Sequence, residues 1–218
     1  MKAAIFDLDG TLVDTIDDIA AAVNGALARR GLPTHDAASY KRMVGNGFRN
    51  LVTKALPPAL AEDPEAVRSL HEEAAANYEA HCLDLSRPYA GVGGLLAALA
   101  AAGVPMAVLS NKPDPLTKKV VAALLPGVPF VLVRGETADF PRKPDPASAL
   151  DAARRLGAAP SEIAYLGDSD VDMRTAGSAG MLALGAAWGF RGAAELRSAG
   201  AAEILDEPAA MLRHFRRE

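Results

Sequence analysis

Short apolar runs that favour β-strands alternate with alanine- and leucine-rich segments of helical periodicity through most of this 218-residue chain. A helical pattern precedes each run after the first, and parallel strands need such a crossover between them. We therefore predict an α/β fold, a doubly wound parallel sheet covered by helices on both faces. The predicted strands are residues 3–6, 105–109, 129–133, 163–166 and 181–184. The predicted helices between them are residues 94–102, 115–124, 146–156 and 171–179.

One region interrupts this alternation. Residues 15–86 have helical periodicity and no convincing strand, and the strand–helix alternation resumes near residues 88–91. We predict an all-α domain inserted after the first strand, with the sheet domain formed by residues 1–14 and 87–218. The predicted helices of the insertion are residues 15–30, 36–44, 48–56 and 64–83.

Composition and charge exclude several classes of protein. The formal net charge of −4 provides no basic surface for nucleic acid and no polybasic patch for a membrane. No apolar run approaches the roughly 18 residues of a membrane span, and the N-terminal run is too short for a signal peptide. The single cysteine, Cys82, cannot form an internal disulfide and fits a reducing compartment. We expect a soluble cytoplasmic protein, monomeric or homodimeric, without nucleic-acid or membrane partners.

Polar side chains follow the predicted strands at the edge where open parallel sheets bind ligands. The first strand ends in residues 7–11 (DLDGT), where two crowded carboxylates are unfavourable unless a cation or a phosphate group uses them. Residues 110–111 (SN) follow the second predicted strand, and residues 167–172 (GDSDVD) follow the fourth. The proline-rich segment 142–146 (RKPDP) is expected to present Lys143 at the start of a helix.

These residue types suit phosphate chemistry. Asp7 and Asp168 would form an oxygen-rich pocket for Mg²⁺, a hard cation that takes one or two protein carboxylates. One aspartate can then attack phosphorus as a covalent nucleophile, while a second protonates the leaving group and activates water. The hydroxyl of Ser110 and the backbone N–H of Asn111 can donate to phosphoryl oxygens. Lys143 can neutralise the charge that gathers there in the transition state.

Taken in order, these segments resemble the four motifs of the haloacid dehalogenase-like phosphatases. The segments are residues 7–11, 110–111, 143–144 and 167–172. The resemblance covers essentially the whole chain, because the helical insertion falls where one subclass of that superfamily carries an α-helical cap. It implies a Rossmann-like core, a cap at residues 15–86, and hydrolysis of a small phosphate monoester through a phospho-aspartate.

The resemblance also implies a role for each motif residue. Asp7 would be the phosphorylated nucleophile, and Asp9 would be the general acid and base. Mg²⁺, the cofactor, would be held by the Asp7 carboxylate, the Asp9 backbone carbonyl and Asp168. The remaining assignments are phosphate binding (Thr11, Ser110, Asn111), stabilisation of the nucleophile and the transferred group (Lys143), and orientation of the metal site or of Lys143 (Asp172).

Further details are similar to the phosphoglycolate phosphatases of this superfamily, which implies 2-phosphoglycolate as the substrate. They include residues 13–15 (VDT), 44–47 (VGNG) and 87–92 (RPYAGV). Gly45 and Asn46 would then belong to a substrate-binding loop, although the same residues could form a plain turn between cap helices. Aspartate at position 145 departs from the family, because many members have histidine there.

Other reactions in this superfamily remain alternatives. They include a pyrophosphatase, a sugar-phosphate phosphatase, a β-phosphoglucomutase-like mutase and a phosphonoacetaldehyde hydrolase. A mutase would need a histidine early in the first cap helix, and residues 14–30 contain none. A phosphonoacetaldehyde hydrolase would need a cap lysine, for which Lys41 and Lys54 are present without a convincing pattern. A binding protein with a decayed site is the non-enzymatic alternative, and the intact motifs argue against it.

Three features lie outside the motifs. Arg49 and Arg87 are candidates to bind a substrate carboxylate, although arginines more often lie at the surface. The segment 188–190 (WGF) follows the last predicted strand and is expected to pack against the edge of the sheet.

Overall fold

The structure is a computed structural model that describes residues 1–215. The strands are β1 (Ala3–Phe6), β2 (Val13–Asp14), β3 (Arg87–Pro88), β4 (Met106–Pro113), β5 (Phe130–Glu136), β6 (Ile163–Gly167), β7 (Leu182–Ala186) and β8 (Glu203–Leu205). Six of them form a sheet in the order β5-β4-β1-β6-β7-β8, and every neighbouring pair is parallel. The predicted doubly wound parallel sheet is confirmed. The last three residues of the predicted sheet domain lie outside the described residues.

The chain divides into two compact units. One is Thr15–Arg87, and the other joins Met1–Asp14 to the described residues from Pro88 onward. The helices of the first unit are α1 (Ile16–Arg29), α2 (Ala37–Met43), α3 (Phe48–Ala55), α4 (Pro58–Ala61) and α5 (Pro64–His81). Those of the second are α6 (Val92–Ala101), α7 (Asp114–Leu124), α8 (Ala147–Leu156), α9 (Asp170–Ala179) and α10 (Ala193–Ser198), with 3₁₀ segments at Pro160–Glu162 and Pro208–Phe215.

Strand β1 lies at the centre of the sheet and is wholly apolar. All four of its residues are 0% exposed, as expected for a parallel strand covered on both faces. Ile5 is in register with Ala107 of β4 on one side and with Tyr165 of β6 on the other. The residues that follow β1 therefore emerge between the ends of two neighbouring strands.

Helices α8 and α9 cover one face of the sheet through small side chains. Alanines of these helices pack on Ile5, Leu109 and Tyr165, and the small side chains let the helices approach the sheet closely. The cluster includes Ala149, Ala152, Ala153, Ala176 and Ala179. The abundance of alanine thus serves the packing of helices on the sheet.

The helical unit has its own core and its own internal clamp. Phe48 stacks on the buried Tyr78 at 5.6 Å between ring centroids. Asp18, in the first turn of α1, is 3% exposed and accepts hydrogen bonds from the backbone N–H groups of Leu85 (2.9 Å) and Ser86 (2.8 Å). The Ser86 hydroxyl also donates to Asp18 at 2.7 Å. These bonds tie the end of the unit to its beginning.

Several elements differ from the sequence-based expectation. Strand β4 runs on to Pro113, four residues beyond the predicted end, because its polar C-terminal part still pairs with β5 through a shift of register. Strands β2, β3 and β8 and helices α4 and α10 were not predicted, since each is too short for a periodic pattern. In the part of the chain that the structure describes, none of the helices combines the length and apolarity that a bilayer span requires.

A buried ion pair joins β5 to α8. Arg134 is 8% exposed, and its guanidinium donates to Asp151 at 2.6 Å and to the Ser148 hydroxyl at 3.3 Å. The guanidinium also lies over the Phe140 ring, 4.3 Å from the centroid. The hydrogen bond from Arg134, assisted by neighbouring arginines, lowers the pKa of Asp151 from its ordinary 3.8 to about 2.

We predict that Asp151→Asn lowers the free energy of unfolding by about 1–2 kcal/mol at neutral pH, because Arg134 loses a charged partner. A lowered pKa in the folded state stabilises the protein above the unfolded value. The difference between wild type and variant should therefore be present above the unfolded value of 3.8 and shrink as the pH falls through about 2. Urea unfolding across that range measures it. Glu162→Gln removes an exposed pair with Lys2 and should change nothing measurable. A deficit of Asp151→Asn that is as large at pH 2 as at neutral pH would contradict the assignment.

Candidate active site

Three adjacent strands end at the same edge of the sheet, and each delivers polar side chains there. Asp7 follows β1 directly, and Asp168 follows β6. Ser110 and Asn111 lie inside the extended end of β4 rather than after it. All four residues are less than one-tenth exposed, so the fold brings these predicted residues together in a buried place.

Three carboxylates form a tight cluster at this edge. Asp7, Asp168 and Asp172 each offer an oxygen, and the three oxygens lie within 4.8 Å of one another. Three negative charges so close together repel strongly in a buried site. Lys143 offsets part of this repulsion, because its Nζ lies 2.9 Å from Asp7 Oδ1 and 2.7 Å from Asp172 Oδ1.

The pKa values of these groups record the crowding. Burial, with the charge of Asp172 adding to it, raises the pKa of Asp7 to about 7, although Lys143 opposes the shift. Burial, together with the charges of Asp172 and Asp7, raises the pKa of Asp168 well above its ordinary value. Burial by itself would lower the pKa of Lys143, but the charges of Asp172 and Asp7 outweigh it and raise that pKa. The lysine therefore stays an ammonium, and one positive charge faces three acids.

This excess of negative charge fits a hard divalent cation. All donors of the cluster are carboxylate oxygens, the ligands that Mg²⁺ prefers. Asp172 is already engaged, since it is 0% exposed, accepts from the Ser169 hydroxyl at 2.6 Å and pairs with Lys143. Asp7 and Asp168 are therefore the carboxylates best suited to hold the cation.

Asp9 lies in a different electrostatic environment from Asp7. Its carboxylate forms an ion pair with Lys112, 2.6 Å between Oδ1 and Nζ, and both side chains are largely buried. Lys112 lies directly after the Ser–Asn pair, and the sequence alone predicts no role for it, because its partner Asp9 is far away in the chain.

The segment around Lys143 is held by the side chain of Asn111. The Asn111 amide donates to the Lys143 carbonyl at 3.0 Å and accepts from the Lys143 N–H at 2.9 Å. The segment around Lys143 was predicted to precede a helix that begins at residue 146, and the helix begins one residue later. Helix α8 begins at Ala147, where the Asp145 carboxylate accepts the Ala147 N–H at 2.9 Å, so Lys143 lies in the preceding turn. The lysine is nevertheless 6% exposed and aimed at Asp7.

The segment 188–190, predicted to pack against the edge of the sheet, also contacts residues of this site. The Trp188 indole donates to the Thr11 carbonyl at 3.0 Å, and the Phe190 N–H donates to Asp168 at 2.7 Å. The Thr11 hydroxyl, predicted to bind phosphate, donates to the other oxygen of Asp168 at 3.3 Å. Asp168 is thus oriented from both sides.

A glycine is required between the Trp188 and Phe190 contacts. A Cβ added to Gly189 would collide with Asp168 and with the Gly10 carbonyl. Gly10 itself has φ +85°, a left-handed conformation, and faces the Asp168 carboxylate in the same way. Two glycines therefore let the backbone close around this carboxylate, which only the folded structure shows.

The predicted residues of the insertion belong to the helical unit. Gly45 and Asn46 lie in the turn between α2 and α3, where Gly45 has φ 119° and Asn46 is exposed. Their part in substrate binding stays a prediction. The Arg87 guanidinium donates to the carbonyls of Ser86 (2.6 Å) and Asp84 (2.9 Å), so it is engaged by backbone close to itself in the chain.

Comparison with known proteins identifies the family of this chain. Residues 1–180 match the haloacid dehalogenase-like hydrolase family, and the chain belongs to that family, as its motifs predicted.

Individual relatives match over most of their length. A phosphoglycolate phosphatase of Xylella fastidiosa is 35% identical over 87% of this chain and 82% of its own length. An N-acetylmuramic acid 6-phosphate phosphatase of Pseudomonas aeruginosa is 34% identical over 87% of this chain and 83% of its own length. A crystal structure of a provisionally assigned phosphoglycolate phosphatase from Lactobacillus delbrueckii subsp. bulgaricus superposes with a TM-score of 0.92. That protein is 30% identical and aligns over 100% of this chain and 99% of its own.

We predict that Gly189→Ala weakens cation binding, because the new methyl group must displace Asp168. Thermal unfolding with and without Mg²⁺ measures this. The cation-induced rise in melting temperature should fall to less than roughly half of the wild-type rise. Gly94→Ala, at an exposed helical position with open space around its Cβ, is the matched control and should keep the full rise. An unchanged rise in Gly189→Ala would contradict a role of Asp168 in holding the ion.

Proposed function

We propose that this protein is a Mg²⁺-dependent phosphatase that hydrolyses a small phosphate monoester through a phospho-aspartate on Asp7. One observation carries the proposal: the carboxylate of Asp7 is buried, paired with Lys143 and set beside Asp168 at the end of the central strand. Membership of the hydrolase family and the phosphatase relatives support the same conclusion.

The reaction takes place in two steps at Asp7. An Asp7 carboxylate oxygen attacks phosphorus, the bond from phosphorus to the ester oxygen breaks, and Asp9 donates a proton to the leaving oxygen. Asp9, now a carboxylate, then accepts a proton from water as that water attacks phosphorus and the bond from phosphorus to the Asp7 oxygen breaks. Phosphate departs, Asp7 is again a carboxylate, and Asp9 again carries the proton that it donated.

Other residues hold the groups in place. Lys143, an ammonium with its pKa raised, fixes the orientation of Asp7 and offsets the charge of the transferred phosphoryl group. The Ser110 hydroxyl and the Asn111 backbone N–H would position phosphoryl oxygens. The Thr11 hydroxyl, also predicted to bind phosphate, donates its proton to Asp168 and would act through that carboxylate. Asp172 would keep Lys143 pointed at the nucleophile.

Mg²⁺ would be held by Asp7, Asp168 and the backbone carbonyl of Asp9. When bound, it supplies positive charge that lets an anionic nucleophile approach an anionic phosphate. Asp168 would keep its place as a ligand through the hydrogen bonds from Thr11 and Phe190.

The substrate class follows from the chemistry of the relatives. One relative is a phosphoglycolate phosphatase and another an N-acetylmuramic acid 6-phosphate phosphatase. Both substrates combine a phosphate ester with a carboxylate. We place 2-phosphoglycolate first and N-acetylmuramic acid 6-phosphate second, and regard a carboxylate-bearing monoester as the common feature.

We propose residues 15–86 as the cap domain, with Gly45 and Asn46 in its substrate loop. The enzyme would act in the cytoplasm, as a monomer or homodimer, on a small molecule. Cys82, a buried thiol, suits a reducing compartment.

We predict that Asp7→Asn lowers kcat by at least about 10³-fold, because an amide cannot form the phosphoryl ester. Hydrolysis of p-nitrophenyl phosphate, phosphoglycolate, N-acetylmuramic acid 6-phosphate, pyrophosphate and glucose phosphates measures rate and preference together. Asp206→Asn, a change at an exposed aspartate, is the control and should leave kcat as in wild type. Turnover by Asp7→Asn at the wild-type rate would overturn the mechanism, and a preference for pyrophosphate would overturn the substrate class.

We predict that Asn46→Ala raises KM for phosphoglycolate by about threefold to tenfold and leaves kcat within about twofold, since uniform binding is lost. Steady-state kinetics separate the two constants. Asn50→Ala, at an exposed position of the adjacent helix α3, serves as the comparison. If both variants retain the wild-type KM, residues 45–46 form only a turn.

A further inference from the structure

Two buried lysines stand beside the two aspartates that follow β1. Among the described residues, Lys112 and Lys143 are the lysines less than one-tenth exposed, at 5% and 6%. Lys143 pairs with Asp7, and Lys112 pairs with Asp9. The first pair belongs to the family motifs, whereas the second has no assignment in the mechanism above.

The backbone of Lys112 is fixed from several directions. Its N–H donates to the Ser110 hydroxyl at 3.2 Å, and its carbonyl accepts from the Thr117 hydroxyl at 3.1 Å. Thr117 is 0% exposed. Gly135 of β5 packs so closely on the Lys112 carbonyl that it leaves no space for a Cβ. These contacts fix the backbone of Lys112 and therefore the position of its Cβ atom.

The side chain of Lys112 then reaches across to β1. It meets a carboxylate 103 positions away in sequence, at 2.6 Å, with both side chains nearly closed to solvent. Burying an ammonium is unfavourable unless a partner compensates it, and a pair serving stability alone forms more easily at the surface. The geometry points to a role for this pair in placing Asp9.

We propose that Lys112 is a positioning residue that holds the Asp9 carboxylate where it exchanges a proton with the leaving group and with water. The inference rests on the proposed function, in which Asp9 is the general acid and base. The ion pair selects one orientation of the Asp9 carboxylate, on the residue two positions after the nucleophile Asp7. No proton or group is transferred to Lys112 itself.

A double-mutant cycle tests the inference with p-nitrophenyl phosphate as the substrate. The variants are Lys112→Met, Asp9→Asn and the two together. If Lys112 acts through Asp9, Lys112→Met lowers kcat about 10- to 100-fold in the wild-type background and has no further effect in Asp9→Asn. KM should change by less than about twofold, because the lysine does not contact the substrate.

Three controls keep the test decisive. Lys118→Met removes an exposed ion pair with Asp114 on the next helix and should retain wild-type kcat. Lys112→Arg keeps the charge and should recover part of the lost kcat. Thermal unfolding of every variant shows whether it is folded at the temperature of the assay. A loss of kcat in folded Lys112→Met then reports a misplaced Asp9 carboxylate rather than an unfolded protein.

Each contrary result has a distinct meaning. Kinetic effects of Lys112→Met and Asp9→Asn that multiply in the double variant would overturn the inference and leave the proposed function standing. A rise in KM with unchanged kcat would overturn it by making Lys112 a substrate contact. Wild-type kcat in Asp9→Asn would overturn the role of Asp9 in the proposed function, and with it the inference.

Discussion

The crowding of carboxylates beside Asp7 is the constraint on which the rest of this structure depends. Three buried carboxylates whose oxygens lie within 4.8 Å of one another repel each other, and the ammonium of Lys143 offsets part of this repulsion. The remaining negative charge makes the place suitable for a cation and for phosphoryl chemistry. The repulsion between these carboxylates opposes folding, but it also makes the place attractive to a cation. Titratable groups in such unfavourable surroundings are common at functional sites.

The fold places this negative charge at the enclosed end of the central strand, where neighbouring segments hold the charged side chains. Strand β1 is apolar throughout and lies between β4 and β6, so its end is enclosed by two neighbouring strand ends. Asn111 holds the Lys143 segment through two hydrogen bonds, and the segment 188–190 holds Asp168. Backbone and amide contacts thus fix the Lys143 segment and Asp168. Each of Asp7 and Asp9 also has its own lysine, which gives two adjacent acids different surroundings.

Much of the fold and the core of the site could be predicted from the sequence. The apolar run before Asp7 and the alternation of strands and helices gave the parallel sheet, because both depend on local periodicity. The short strands β2, β3 and β8 and the short helices α4 and α10 lacked such periodicity and were missed. Lys112 and the segment 188–190 were missed for another reason. Their partners are Asp9, Thr11 and Asp168, and contacts at such sequence separation leave no local pattern.

The sequence by itself determined the family, the parallel sheet and the residues proposed as reactive, because motif residues and hydrophobic periodicity are local properties of the chain. Only the tertiary structure decided how these residues are held. It paired Lys112 with Asp9, turned Thr11 and Phe190 towards Asp168, and required glycine at position 189. These outcomes depend on which strand ends become neighbours and how closely their backbones approach. Distances of that kind exist only after the sheet has formed.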